Sequence, residues 1–283
     1  MSLRDIAKRV HAISNEEDPE KSFLTMLNEH ISRTNPERTP SKSYKPSSMG
    51  TCYRQNYYQL TGQKIDPSFA SPDLVGMGES GTDRHERIQK YVSGMEKNNY
   101  PVKWVKVSNY LKMHPHEGVE VRGERGFETQ LDYKPLNMHL QCDGIIQIKG
   151  VYYILEIKTE SDFKWLPRHG PAKDHLVQAA AYSLVLGIDK VLFLYENRNV
   201  CAKKAYMYDV SEEERQNIIT FINRCNSYID KKILPPKTDN KSDCKYCHYV
   251  ATCNEAGDGT LLDDSVLLGV GSGLSFAGGE DHD

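Results

Sequence analysis

Hydrophobic positions along this 283-residue chain repeat with two different periods, and the period changes near residue 100. Between residues 17 and 33, Phe23, Leu24, Leu27 and Ile31 fall three and four apart, the spacing of one helix face. Residues 34–47 are rich in Pro, Ser, Lys and Arg and read as a loop. A short helix is expected from about Ser48 to Leu60, stopping near Gly62, and a longer one over about 73–96. From 102 to 158 the period is that of strands: VKWVKVSNYL, FETQLDY, MHLQCDGIIQI and VYYILEIK are short runs rich in Val, Ile and Tyr. Lys149-Gly150 separates the last two runs as a tight hairpin turn. A helix over 172–186 ends at Gly187, and strands follow at 190–196 and 203–209. Ser211 and Glu214 have capping-box spacing and open a final helix to about Lys231, which Pro235-Pro236 stop. The order predicts a mixed α/β domain with helices flanking a central sheet. Three parts are expected: an N-terminal helical and basic segment (1–46), a main domain (47–253) and an acidic Gly/Ser-rich tail (254–283) without fixed structure.

Charge changes this picture in one respect. The net charge of −3 is unevenly spread. Residues 254–283 hold seven acids and no Lys or Arg, which leaves 32 of the 39 acids against all 36 basic residues in the rest. The body is therefore mildly basic, which is compatible with a nucleic-acid partner but does not argue for one. No apolar run reaches the roughly 18 residues of a membrane span. The first 20 residues have no apolar signal segment. The expected compartment is the cytoplasm of a bacterial or archaeal cell or of a phage-infected host.

The chemistry concentrates in the last two strand runs. Glu156 and Lys158 are two apart on one strand and share a face, while Leu155 and Ile157 point the other way. The 149–150 turn folds the preceding run back, so Asp143 comes level with them. Two carboxylates and an ammonium then converge. Phosphodiester hydrolysis uses such a point: carboxylates hold divalent cations, and the lysine orients or deprotonates water or offsets charge on the phosphorane. The same pattern on an edge hairpin would be a surface ion pair, and the motif alone leaves both open. Gly76-x4-Gly81-Thr82 has glycines at a P-loop-like spacing but no lysine, so no ATP site is expected.

Two further features lie in order around that hairpin. GTDRH (81–85) sits on the upstream helix, and QAAAYS (178–183) on the helix after the Lys158 strand, with Gln178 and Tyr182 on one face. With CDG (142–144) and LEIKTE (155–160), over roughly residues 45–253, the chain resembles the RecB-like branch of the PD-(D/E)XK nucleases. The resemblance implies a metal-dependent deoxyribonuclease, most of all an exonuclease on DNA ends or single strands. It implies Mg²⁺ or Mn²⁺ held by His85, Asp143, Glu156 and the Ile157 carbonyl, with Lys158 acting on the nucleophilic water. Gln178 and Tyr182 would contact DNA or support the site. Relatives often carry Gly-Arg before the aspartate, where this chain has Gln141-Cys142.

Cys244, Cys247 and Cys253 are close enough in sequence to hold a metal. Cys52 is the expected fourth ligand and His248 its competitor; Cys142, Cys201 and Cys225 read as packed apolar groups. Spacing does not separate zinc from an iron–sulfur cluster. One N-terminal and three C-terminal cysteines resemble the iron–sulfur members of the family, the CRISPR-associated exonuclease and its phage-encoded relatives, which implies a [4Fe–4S] cluster pinning the chain ends together. Basic residues with tyrosines between them at 38–58, including Lys45, Arg54 and Tyr44, suit either a DNA-tracking segment or a loop and a buried helix face. Asn197, Arg198, Lys203 and Lys204 form a second basic segment. Two rival readings remain at this stage: a DNA-binding subunit of a recombination, repair or CRISPR-adaptation complex with incidental cleavage, and a zinc-stabilised interaction protein.

Overall fold

A computed structural model describes residues 19–34, 40–66, 71–245 and 247–262. The chain divides into two compact units, residues 1–38 with 67–80, and residues 39–66 with 81–283. In the first lies helix α1 (Pro19–Thr34), with Glu20 in its first turn and Arg33 in its last, each charge suited to its end of the helix dipole. The first α-helix of the second unit is α2 (Tyr53–Thr61), closed by Gly62 in the left-handed conformation at φ 80°. The unit boundary falls inside α3 (Pro72–Ser93).

The rest of the second unit runs β1 (Val102–Val105), α4 (Val107–Met113), β2 (Val119–Arg125), β3 (Glu128–Tyr133), β4 (Met138–Cys142), β5 (Gly144–Ile148) and β6 (Val151–Glu160). It continues with α5 (Asp162–Trp165), α6 (Lys173–Leu186), β7 (Lys190–Asn197), β8 (Lys203–Asp209), α7 (Glu212–Asp230), α8 (Lys241–Cys244) and α9 (Val250–Glu255). Five strands form a sheet in the order β1-β5-β6-β7-β8. Only β6 and β7 run parallel, and the α5–α6 segment makes the crossover that a parallel pair requires. β2, β3 and β4 form a separate antiparallel sheet. The molecule is thus mixed α/β with a mixed central sheet and flanking helices.

Both faces of the five-stranded sheet are covered. Ile145, Ile154, Val191 and Phe193 belong to the main core, which includes Leu176, Ala180 and Val185 of α6 and Ile218 and Phe221 of α7. Ile146, Leu155 and Ile157 face the other way and pack with Ile88 and Val92 of α3. The strand period of two therefore buries apolar residues on both sides, as in sheets sandwiched between helices. Ser211 caps α7 with the expected reciprocal pair to Glu214. Lys149 (φ 49°) and Gly150 (φ 87°) form the expected two-residue turn between β5 and β6.

Several expectations are corrected. The run from 102 to 111 is not one strand: after Val105 it becomes α4, because Val107 and Tyr110 are buried at helical spacing. Here tertiary packing overrides β propensity. The charged strand β2 carries no apolar run and so leaves no trace in the hydrophobic pattern. The MHLQCDGIIQI run is two strands in two sheets, broken at Asp143. Residues 40–46 belong with the main unit, since Tyr44 is in its core and bridges Met138. The tail does not begin at 254: Thr260 N–H bonds the Leu234 carbonyl at 2.9 Å, and Leu262 is buried. Residues 263–283 lie outside the described part.

The break at Asp143 depends on a glycine. A Cβ on Gly144 would stand 2.3 Å from the Trp104 ring, which packs edge-on against Phe127 at 5.4 Å. Gly144→Ala should lower unfolding stability by about 1–3 kcal/mol through overpacking. Denaturant unfolding measures it, and a Gly144→Ala/Trp104→Leu double variant should recover part of the loss.

Candidate active site

Two hairpins set the site by register. Asp143 lies six residues before Lys149, and Glu156 lies six residues after Gly150. The ladder pairs Gly144 with Leu155, so Asp143 comes level with Glu156 one step further. On the other side Thr129 pairs with Cys142, so Glu128 comes level with Asp143. Asp143 therefore stands between two sheets with an acid abreast of it on each side.

Three hydrogen bonds hold Asp143. Its Oδ2 accepts from the Ile157 N–H at 2.8 Å, and its backbone carbonyl accepts from Gln89 Nε2 at 2.8 Å. His85 Nδ1 stands 3.3 Å from its Oδ1 and 3.9 Å from Glu128 Oε1. Donor atoms of His85, Glu128 and Asp143 all lie within 4.8 Å of one another, the one such group among the described residues. Helix α3 supplies both His85 and Gln89, four apart on one face, so one helix face carries a member of that group and the side chain that bonds the Asp143 carbonyl.

Glu156 is buried and accepts from Lys158 Nζ at 2.5 Å, and the same ammonium donates to Gln178 Oε1 at 2.7 Å. Burial pushes the Glu156 carboxyl up to about 7; Lys158 pulls it down and Asp143 adds to the rise. For Lys158 burial works to lower the pKa, but the charges of Glu156 and Asp143 outweigh it, so the amine is held protonated. Burial likewise works against His85 protonation, and the bond to Asp143 reverses it, giving a raised pKa. Tyr182 donates to the Gln141 carbonyl at 2.5 Å, and Gln141 Nε2 bonds Glu128. Burial holds the Tyr182 hydroxyl well above its usual range, so it serves as a donor. Gln178 and Tyr182 thus brace Lys158 and the end of β4.

The structure brings His85 and Asp143 together with Glu128, whereas Glu156, expected as a ligand beside them, pairs with Lys158 and lies outside that close group. The signal for Glu128 was present in the sequence: it lies six residues before Lys134 and Asp143 six after Asn137, so the 134–137 turn matches them as the 149–150 turn matches Asp143 and Glu156. His175, on α6, also belongs to this region. Its Nδ1 is 2.6 Å from the Tyr195 hydroxyl, and burial, with Lys158 and Arg168 beside it, keeps it neutral.

Other expected residues go elsewhere. Arg54 is 0% exposed and cannot reach DNA: it donates to the carbonyls of Pro235 (2.7 Å) and Asp258 (2.5 Å), with Cys253 Sγ at 3.6 Å. Tyr44 and Tyr58 are buried, and Tyr53 stacks on Phe221 at 4.8 Å, so no base can stack on them. Lys45 is exposed, and Arg38 lies outside the described residues. Asn197 is buried, and Lys204 bonds the Trp165 and Arg168 carbonyls, which leaves Arg198 and Lys203 of that segment at the surface. Cys142 and Cys225 are packed as expected, but Cys201 is exposed in the β7–β8 turn.

The Cys52 thiol lies beside Cys253, and Cys52, Cys244 and Cys253 all act on the Cys247 thiol, which burial pushes up to about 11. Burial pushes the Cys52 thiol up, Cys253 adds to the rise, and the backbone N–H groups of Gln55, Arg54 and Thr238 only partly offset it. Tetrahedral zinc draws its sulfurs to within about 4 Å of one another. Among the described residues no three of these thiols stand that close.

No helix among the described residues is long and apolar enough to cross a membrane. No protein-family model and no curated protein matches the chain. Among solved structures, that of SSO0001 is similar at 16% identity over 82% of this chain and 95% of that one, with a TM-score of 0.45. A likeness this distant carries no functional argument.

The charge states predict how a cation would bind here. Glu156 must lose its proton and His85 must be neutral to bind one, and both pKa values are raised. Mn²⁺ affinity should rise with pH up to about 7 and then level off, with protons released on binding. Calorimetry in two buffers of different ionisation enthalpy measures both, and an affinity flat from about pH 5 to about pH 8 would contradict the assignment.

Proposed function

We propose that the chain is a metal-dependent DNA nuclease with a PD-(D/E)XK core, acting on DNA ends or single strands. The carrying observation is the group of His85, Glu128 and Asp143 beside the buried Glu156–Lys158 pair. An acid on each side of Asp143, a neutral-capable imidazole and a retained ammonium form an oxygen-and-nitrogen donor set that suits Mg²⁺ or Mn²⁺. His85, Glu128, Asp143 and Glu156 would hold it, with the Ile157 carbonyl as a further donor. When bound, the cation would polarise the scissile phosphate and lower the pKa of water.

The chain's own groups do the remainder. Ile157 N–H fixes one carboxylate oxygen of Asp143 and leaves the other turned to His85. Lys158 is held as an ammonium, so it favours the roles of orienting water and offsetting phosphorane charge over that of a base. Gln178 accepts from Lys158 and so keeps that ammonium aimed. End-labelled single- and double-stranded DNA, incubated with Mn²⁺, Mg²⁺ or EDTA, tests the reading. Asp143→Ala and Glu156→Ala should abolish cleavage with native circular dichroism, and Glu128→Gln should raise the Mn²⁺ concentration required. Gln178→Ala should slow cleavage about 10- to 100-fold without changing metal affinity to the same degree. Near wild-type cleavage by folded Asp143→Ala would falsify the assignment.

We further propose that Cys52, Cys244, Cys247 and Cys253 hold a [4Fe–4S] cluster, with zinc as the alternative metal. The thiols' mutual influence and the N–H groups around Cys52 support a shared metal site. Protein purified without oxygen should be brown, with broad absorption near roughly 400 nm that d¹⁰ zinc does not give. Each of the four cysteines should be required for the colour, and Cys142, Cys201 and Cys225 should not. Colourless protein with one zinc and no iron would reject the cluster; colour retained in Cys52→Ala would point to His248.

A further inference from the structure

Beyond the carboxylates, strand β6 ends at Glu160 and leads directly into α5. Phe163 on that one-turn helix is 77% exposed, Leu166 just after it 67%, and Val200 in the β7–β8 turn 69%. The segments that carry them are fixed in place. Asp162 accepts from Asn197 Nδ2 at 2.6 Å and from Asn199, which ties α5 to the turn. The Arg198 N–H bonds the Glu160 carbonyl at 2.7 Å. Apolar side chains on clamped backbone with no core to fill mark a contact surface.

The same surface is ringed by cations. Arg84 and Arg87 of α3 reach Glu196 at 3.3 and 2.5 Å, and Lys203 reaches it at 3.1 Å, so three cations meet one buried carboxylate. Arg84 also donates to the Arg198 carbonyl at 3.1 Å, which ties the turn to the residue next to His85. Arg198 and Lys164 are exposed beside Val200 and Phe163. The surplus positive charge selects a polyanion, and the aromatic ring selects one with planar bases left uncovered. Asp162 follows Lys158 by four positions, at most about 13 Å of extended chain at ~3.3 Å each, so the patch lies close to the carboxylates.

We propose that Phe163, with Leu166 and Val200 beside it, is a stacking platform for an unpaired base of a single-stranded nucleic acid, and that Lys164, Arg198 and Lys203 hold its phosphates. The platform rests on the nuclease reading and deepens it by naming what selects single strands. A duplex end, with its bases already stacked, gains nothing from Phe163.

Binding of the full chain to a fluorescein-labelled oligothymidylate of about 20 nucleotides, read by anisotropy in EDTA, tests the platform apart from cleavage. Phe163→Ala should weaken binding about tenfold or more, Phe163→Trp should restore it and Phe163→Leu should not. Blunt duplex binding should change less than about twofold in all three. Arg198→Ala should lower the slope of log affinity against log salt by about 0.7. Thermal melts should match the wild type, since Phe163 is exposed. Oligothymidylate binding that is unchanged in Phe163→Ala, or restored by Leu, would overturn the platform and assign the patch to an apolar protein partner, even if the protein cleaves DNA. Binding that needs the aromatic ring in a protein that cleaves nothing would support the platform and reject the nuclease reading.

Discussion

The position of Asp143 between two hairpins of matched register is the constraint on which the site depends. β4 and β5 are consecutive, yet they belong to different sheets, and Asp143 is the single residue between them. A one-residue slip in a strand turns every side chain to the opposite face. A slip in the second hairpin would move Glu156 into the apolar layer and Ile157 toward the carboxylates. The tight turn at Lys149-Gly150 resists this slip, and so do Ile146, Leu155 and Ile157, which have an apolar layer on their side of the sheet. The register is held a third time by the Ile157 N–H bonded to Asp143 Oδ2, which links the break directly to the facing strand.

That geometry concentrates negative charge where water is scarce. Asp143, Glu128 and Glu156 are all largely buried, and for Glu156 burial and the Asp143 charge oppose ionisation. The protein offsets this with one ammonium and one imidazole. Lys158 serves Glu156, and His85 serves Asp143, so each cation is assigned by a direct bond. The balance is incomplete, as the raised Glu156 pKa records. A divalent cation would complete it, and sites that are under-neutralised in this way are where function is expected.

Much of this was legible in the sequence because it rests on short-range rules. The change of hydrophobic period located the strands, the Lys149-Gly150 turn placed Asp143 opposite Glu156, and helical spacing put Gln178 on the face of Tyr182. What was missed rests on a weak turn signal or on long-range contacts. Glu128 needed the 134–137 turn to be recognised, and that turn has Pro135 and Asn137 but no strong two-residue signature. Residues 107–113 are helical because Val107 and Tyr110 find a core to enter, which no local preference reveals. Arg54 looked like a DNA contact because a basic residue among tyrosines is ambiguous until its burial is known.

The burial of Arg54 bears on the cysteines as well. A guanidinium removed from water is costly unless an anion or a full set of acceptors compensates it. Two backbone carbonyls accept from it, and among the described residues no carboxylate forms an ion pair with it. The remaining acceptor is Cys253 Sγ at 3.6 Å. A neutral thiol is a weak acceptor, whereas a thiolate would neutralise the buried charge. Metal coordination keeps a cysteine as a thiolate. The same guanidinium thus ties α2 to the segment after α7, near residues 235 and 258. Were the cysteines to hold a metal, Arg54 would join that centre to the closing of the main unit.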